Sequence, residues 1–190
     1  LAGRYVGEKL GFDLFEQDGK LYALPLQGGF RMEVRVQGED LVIDDRLDGR
    51  EADLVTRLGF KGRIAVVCDE NTHDVMGARV AKALKAAHNS GISSVETIVL
   101  DHPHADEENL ALLRDKTRNV DFLVAVGSGT INDLCKYVTY TDGRAYCVFG
   151  TAPSMNGYTS TTASITESNG LKVSRPSHAP KGVFIDLAVN

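Results

Sequence analysis

The sequence feature that most constrains the fold is a change of hydrophobic period between residues 121 and 138. Residues 122–126, Phe-Leu-Val-Ala-Val, form a short apolar run that indicates a strand buried on both faces. The glycine-rich turn Gly-Ser-Gly-Thr follows at residues 127–130. Beyond it the apolar residues recur at the spacing of one helix face, as Ile131, Leu134, Cys135 and Val138. A strand that passes through such a turn into a helix is typical of an α/β domain.

The turn at residues 127–130 has two interpretations. The first amides of a helix have no partner within the helix, and the helix dipole places partial positive charge at the same end. Glycines let a phosphate approach those amides closely. The spacing nevertheless matches neither the dinucleotide fingerprint nor the Walker loop. The residues of this stretch therefore leave phosphate binding and an ordinary strand-to-helix turn equally open.

Strands and helices alternate regularly from residue 63 onward. Strand patterns at residues 64–68, 95–100, 122–126 and 145–149 are separated by amphipathic helix patterns near residues 72–87, 106–118 and 131–138. This rhythm predicts a Rossmann-like parallel sheet with helices on both faces. In such sheets ligands bind beyond the carboxyl ends of the strands. Asp69, the turn at 127–130 and the loop at 150–154 all fall there.

Asp69 has two possible roles. Its carboxylate can accept the hydroxyls of a ribose, as acidic residues do in dinucleotide sites. It can also cap the following helix through Asn71 and Thr72. Its position alone favours the cap.

The composition narrows the class of protein. A chain of 190 residues with a formal net charge of −5 and no basic run argues against a nucleic-acid partner. No apolar run approaches membrane-spanning length, and no leading segment resembles a signal peptide. Cys68, Cys135 and Cys147 form no CxxC motif and lie in or beside apolar elements, so we expect reduced, buried thiols in a cytoplasmic protein. We also expect the loop that carries His102 and His104 to be solvated and to bind no metal.

The first part of the chain is less regular. Residues 32–37 alternate between apolar and polar side chains, and with residues 41–43 they predict a β-hairpin that turns at residues 38–40. Residues 1–30 are expected to be an extension or a partly ordered arm. We therefore predict an N-terminal extension at residues 1–58, which leads into a dinucleotide-binding α/β domain at residues 59–190.

The loop after the last of these strands carries a distinctive motif. Residues 150–160 read Gly-Thr-Ala-Pro-Ser-Met-Asn-Gly-Tyr-Thr-Ser, and Ala-Val-Gly-Ser-Gly-Thr-Ile-Asn-Asp precedes them at 125–133. With Cys-Asp-Glu-Asn-Thr at 68–72, Lys136 and Gly-Leu-Lys-Val at 170–173, the chain resembles the sn-glycerol-1-phosphate dehydrogenases. These enzymes belong to the superfamily of iron-containing alcohol dehydrogenases and dehydroquinate synthases. The resemblance covers roughly residues 60–190, and it supports a small hairpin at residues 159–173.

The resemblance implies a site for NAD or NADP, with Asp69 near the adenine ribose. Asn156 stands where the family usually has an aspartate that contacts substrate, so the exact substrate stays open. Glu70 beside Asp69 weakly favours NAD over NADP, because it would repel a 2′-phosphate. The residues implied to bind the cofactor are Asp69, Gly127, Ser128, Gly129, Thr130, Ile131, Asn132, Asp133, Thr151, Ala152, Pro153, Ser154 and Ser160.

The implied reaction is metal-dependent hydride transfer between NAD(P)H and a polyol phosphate, of the dihydroxyacetone phosphate type. The family's zinc or other divalent ion is bound by a following helical domain that this chain does not include, so we expect no metal ligands here and no activity from this part alone. Without that domain, the apolar surface on which it docks would be exposed, and we expect this surface to favour a homo-oligomer. Two alternatives are a dehydroquinate-synthase-like lyase, which residues 151–155 disfavour, and a non-catalytic nucleotide-binding module.

Overall fold

The computed structural model describes residues 2–7, 11–28, 32–37, 40–43, 47, 49–87 and 90–189. The chain divides into two compact units, residues 1–46 and residues 47–190. The sequence predicted a division after residue 58, whereas the helix at Glu51–Arg57 lies within the second unit. No helix in the described part of the chain is both long and apolar enough to cross a membrane.

The first unit is a five-stranded antiparallel sheet in which each strand pairs with the next along the chain. Residues 1–30, expected to be an extension or a partly ordered arm, contain three of these strands. The missed signal is the Asp18-Gly19 pair, whose positive φ angles of 53° and 76° make the two-residue hairpin turn that Asp-Gly favours. The predicted pairing of residues 32–37 with 41–43 is confirmed, while residues 38 and 39 lie outside the described residues. The strands are β1 Gly3–Val6, β2 Gly11–Gln17, β3 Lys20–Pro25, β4 Met32–Gln37 and β5 Asp40–Ile43.

The second unit is built on a five-stranded parallel sheet, which confirms the predicted fold class. A separate antiparallel hairpin, β10–β11, pairs Ile165 with Val173 and confirms the predicted hairpin near the end of the chain. The elements of the unit are α1 Glu51–Arg57, β6 Gly62–Asp69, α2 Glu70–Thr72, a π-helical turn His73–Gly77, α3 Ala78–Ala86, β7 Ile92–Leu100, α4 Glu107–Thr117, β8 Phe122–Gly127, α5 Gly129–Thr141, β9 Ala145–Gly150, β10 Thr162–Thr166, β11 Lys172–Pro176 and β12 Val183–Ile185.

Helices cover both faces of the parallel sheet. Successive residues of a strand point to opposite faces, so Leu123 and Ala125 of β8 join one core while Val124 and Val126 join the other. Helices α4 and α5 pack on the first core, and α1 and α3 pack on the second. The predicted buried thiols are confirmed, since Cys68, Cys135 and Cys147 are all free and buried.

The order of the strands defines where a ligand should bind. The sheet runs β12-β9-β8-β6-β7, so the chain leaves β6 for β7 on one side and then returns to β8 on the other. Such a reversal opens a crevice beyond the carboxyl ends of the two central strands. Val67 pairs with Ala125, so β6 and β8 end at the same level, at Asp69 and Gly127.

Candidate functional site: a polar cleft at the start of helix α5

Helix α5 begins at the carboxyl end of β8 without a side-chain cap. Ser128 occupies the N-cap position in an extended conformation, and its hydroxyl makes no capping hydrogen bond. The amides of the first turn have no acceptor within the helix. A Cβ atom added at Gly129 would meet only Met155 Cγ, at 3.9 Å. The first turn of a 13-residue helix is thus accessible to an anion.

A cleft of about 490 Å³ lies against this helix start. One side is the first turn of α5, and the opposite side comes from the loop after β9 and from the β10–β11 hairpin. Hydroxyl, amide and small side chains dominate the surface. The lining residues are Ala105, Ser128, Gly129, Thr130, Asp133, Met155, Asn156, Gly157, Ser160, Thr162, Ser164 and Lys172.

The buried side chain of Tyr158 holds the side of the cleft opposite α5 in place. The hydroxyl of Tyr158 accepts from the amide of Ala152 and lies 3.3 Å from the carbonyl oxygens of Gly127 and Ala152. Its ring requires the glycine at position 150, where an added Cβ would lie 2.7 Å from Tyr158 Cζ. The amide of Thr151 also donates to the Gly127 carbonyl, at 3.2 Å. These contacts hold the loop after β9 beside the glycine turn.

Asp133 is the carboxylate of the cleft. Burial raises the pKa of this carboxyl, although the Ser164 amide donates to its Oδ2 at 3.1 Å and Lys136 stands 3.8 Å from its Oδ1. Lys136 lies behind the cleft surface with a fully buried side chain, and burial lowers the pKa of its ammonium group. Lys172 contributes a second positive charge, at the β11 side of the cleft.

The predicted cofactor residues divide into several groups. Ser128, Gly129, Thr130, Asp133 and Ser160 meet in the cleft, together with the predicted substrate residue Asn156. The loop residues Ala152 and Pro153 line a neighbouring, mostly apolar cavity of about 330 Å³ that also includes Asn156, Tyr158 and Ile185. Five predicted residues do not line the cleft: Gly127, Ile131 and Asn132 are buried, Thr151 is half-buried and Ser154 is exposed.

Asp69 caps the short helix α2. Its Oδ1 accepts from the amide of Thr72 at 2.7 Å and from the hydroxyl of Thr72 at 2.9 Å. The Thr72 hydroxyl in turn accepts from the amide of Asp69, which completes a capping box. Both bonds to the carboxylate use the same oxygen, so the cap and a contact from Oδ2 to a ribose are compatible. The assignment of Asp69 to the cofactor stays a prediction.

The cleft does not offer the donors that zinc prefers. Among the described residues that line it, Asp133 is the acidic side chain, and the others present hydroxyl, amide, ammonium, thioether or aliphatic groups. Elsewhere, Glu70, Asp101 and His102 bring potential ligand atoms within 4.8 Å of one another. His102 is 83% exposed and its Nδ1 lies 2.5 Å from Glu70 Oε1, so this group is a surface contact between an imidazole and carboxylates at the carboxyl ends of β6 and β7.

Several residues that shape the site were not predicted from the sequence. Tyr158 and Lys172 lie within the motifs at 150–160 and 170–173 without a predicted role, and Ser164 lies on a strand that was predicted only as part of a hairpin. Lys136 had a usable signal. It stands three residues after Asp133 on the same helix, so the two side chains share a face.

The fold and the position of the cleft place the second unit in the class of Rossmann-like α/β domains. The chain belongs to the family of iron-containing alcohol dehydrogenases, whose family model matches residues 42–190. This confirms the family that the motifs at 125–133 and 150–160 indicated.

Curated proteins with similar sequences support the same family assignment. The chain is 34% identical over 129 residues to a glycerol-1-phosphate dehydrogenase (NAD(P)+) of Bacillus velezensis, covering 65% of this chain and 32% of that protein. It is 33% identical over 161 residues to a protein of the same name from Geobacillus stearothermophilus, covering 79% of this chain and 38% of that one. The chain therefore spans about a third of the length of the curated relatives it matches.

Solved structures support the fold. A glycerol dehydrogenase from Schizosaccharomyces pombe superimposes with a TM-score of 0.62 at 20% identity, over 75% of this chain and 36% of that chain. A 1,3-propanediol oxidoreductase gives a TM-score of 0.62 at 16% identity, over 74% of this chain and 42% of that chain. At these identities the likeness concerns the arrangement of helices and strands.

Proposed function

We propose that this chain is the NAD(P)-binding part of a dehydrogenase that transfers hydride to or from a polyol phosphate of the glycerol-1-phosphate type. The observation that supports the proposal most strongly is the start of α5. Its uncapped first turn faces a polar cleft, and Gly129 leaves the approach to its amides clear. The names of the relatives, glycerol-1-phosphate dehydrogenase (NAD(P)+), agree with this chemistry.

The residues of the cleft fit a dinucleotide by their chemistry. The first turn of α5 offers amide donors and a positive dipole end for a pyrophosphate. Lys172 adds positive charge, while Asp133, Asn156 and Ser160 offer acceptors for hydroxyl and amide groups. When bound, the nicotinamide supplies the hydride acceptor or donor.

The whole enzyme's other properties are part of the same proposal. We propose that the reaction depends on a divalent metal, zinc or another ion, which would polarise the carbonyl of the substrate. Asn156 lies exposed in the cleft, where its amide contacts the polyol phosphate. We further propose a cytoplasmic location, with which the three free, buried thiols agree, and a homo-oligomeric state.

The test is titration of the chain with NADH, followed by nucleotide fluorescence. We expect saturable binding by the wild type. Gly129→Val should abolish it, because the added side chain occupies the space above the first amides of α5, where only Met155 stands nearby. Gly129→Ala should weaken binding and leave the fold intact.

The matched control is Ala111→Val, which adds similar bulk at an exposed position of helix α4. This variant should bind NADH as the wild type does. If Gly129→Val also retained wild-type affinity for NADH, the start of α5 would not be the phosphate site and the proposal would fail.

A further inference from the structure

Lys136 is an ammonium group buried behind the proposed cofactor cleft. Its side chain is 0% exposed. The Nζ atom donates to the Gly157 carbonyl at 2.9 Å, to the Ser160 hydroxyl at 2.8 Å and to the Thr162 carbonyl at 3.2 Å. All three acceptors belong to residues that line the cleft. Lys136 itself does not line the cleft, so it would act on a ligand through these neighbours or through the lining carboxylate of Asp133, 3.8 Å from its Nζ.

The hydrogen bonds of Lys136 fix the orientation of the Ser160 hydroxyl. An ammonium group has three donors and no acceptor, and here the three donors meet three acceptors. Ser160 Oγ must therefore accept from Lys136. Its own proton is directed to the Thr162 carbonyl at 2.8 Å or to the Gly157 carbonyl at 3.0 Å. One lone pair of the hydroxyl is left to accept a hydrogen bond from a ligand in the cleft.

We infer that Lys136 is a positioning residue that makes Ser160 an obligate acceptor, so that Ser160 binds a donor group of the dinucleotide, such as a ribose hydroxyl or the nicotinamide amide. The inference rests on the proposed function. It assigns opposite polarities to the two sides of the cleft. The start of α5 donates to phosphate oxygens, whereas Ser160 accepts from a hydroxyl or amide and does not bind phosphate.

This division predicts how two probes differ. NADH carries ribose hydroxyls and a nicotinamide amide as well as a pyrophosphate, whereas inorganic pyrophosphate lacks those hydroxyl and amide donors. Lys136→Met should weaken NADH binding about tenfold, the size expected when a charge-oriented hydrogen bond is lost. The same variant should bind inorganic pyrophosphate as the wild type does, because the first turn of α5 is unchanged.

Ser160→Ala provides an independent test, since it removes the acceptor and leaves the buried Lys136 side chain in place. It should show the same selective loss of NADH affinity. In the Lys136→Met/Ser160→Ala double variant the two losses should not add, because Lys136 acts through Ser160. The control is Thr139→Val, which removes a buried hydroxyl one turn further along α5 that contacts the Cys135 carbonyl and His178, away from the cleft.

Each outcome decides the matter. Selective and non-additive losses for NADH support the inference. Equal losses for NADH and pyrophosphate in Lys136→Met, or additive losses in the double variant, would overturn it, because Lys136 would then act through the fold or through the charge of Asp133 and not through Ser160. Wild-type NADH affinity in Ser160→Ala would also overturn the inference, even if Lys136→Met failed to fold. Absence of NADH binding by the wild type would instead refute the proposed function and the inference with it.

Discussion

Two glycines of the same turn serve different purposes. A Cβ atom at Gly127 would lie 2.7 Å from the Cβ of Ile131, so the fold itself requires glycine there. At Gly129 an added Cβ would meet only Met155, at 3.9 Å, so the fold tolerates a side chain. The sequence pattern Gly-Ser-Gly could not separate these roles, because the difference depends on which way each Cα–H bond points. The second glycine is the one whose missing side chain leaves room for the proposed phosphate.

His178 is the residue whose titration we expect to affect stability near neutral pH. Its Nε2 lies 2.9 Å from Thr139 Oγ1, and because that hydroxyl donates to the Cys135 carbonyl, the imidazole must donate to it. The ring stacks on Tyr146 with centroids 5.7 Å apart. Burial lowers the pKa of His178 below its ordinary 6.5, and Lys181 and Lys136 act in the same direction. The folded protein thus holds the neutral imidazole.

The sign of the pH effect follows from this depressed pKa. As the pH falls through 6.5, the unfolded chain takes up a proton at this histidine before the folded chain does, so the stability due to neutral His178 is present above 6.5 and is lost below it. His178→Gln keeps a donor near the Nε2 position and does not titrate. We expect its thermal midpoint to fall less than that of the wild type between pH 7 and pH 5. Parallel curves for the two proteins would contradict this.

At the scale of elements, the sequence predicted those whose evidence is local. The β8–α5 unit is indicated by a change in the spacing of apolar residues within 17 residues. The antiparallel pairing of β4 with β5 follows from the alternation of apolar and polar side chains. The side of the cleft opposite α5 could not be predicted in this way. Asp133 accepts from the amide of Ser164, 31 residues away, and such a contact leaves no periodic trace. The roles of Lys136 and Tyr158 depend on the same kind of distant pairing.

An arginine joins three elements on the α1 side of the sheet. Arg79 of α3 forms ion pairs with Glu51 of α1, at 2.7 Å from Nε to Oε1, and with Asp186, which follows β12. Both carboxylate side chains are 0% exposed. Arg79→Met would leave two buried carboxylates without this charge partner, so we expect a loss of about 3–5 kcal/mol in the free energy of unfolding. Urea denaturation, monitored by hydrogen exchange of the β8 amides, measures this loss of stability.

The comparison for Arg79 is Arg57 of α1, which pairs with Asp53 one turn earlier on the same helix. Their side chains are 71% and 49% exposed, so Arg57→Met should cost only about 0.3–0.5 kcal/mol. Losses of similar size in the two variants would mean that the buried cluster does not depend on Arg79.

For the whole molecule, the two units differ sharply in what they bury. The second unit contains both large cores, one on each face of the parallel sheet. The first unit has a small core in which Leu14, Ala23 and Val34 are buried, with Phe12 and Leu21 packed against them. The family match begins at residue 42, close to the division between the units. The cleft and all its described lining residues lie in the second unit.

We therefore expect residues 47–190 to fold as a separate protein. This fragment should give a cooperative thermal transition by circular dichroism and should bind NADH with the affinity of the full chain, because the cores and the cleft are complete within it. Residues 1–46 alone should give no cooperative transition, since a chain of that length, with three buried apolar residues in the core of its described part, offsets little of the entropy lost on folding. If residues 47–190 failed to fold or lost NADH binding, the antiparallel sheet would be a necessary part of the binding domain. The same measurements on both fragments separate these cases.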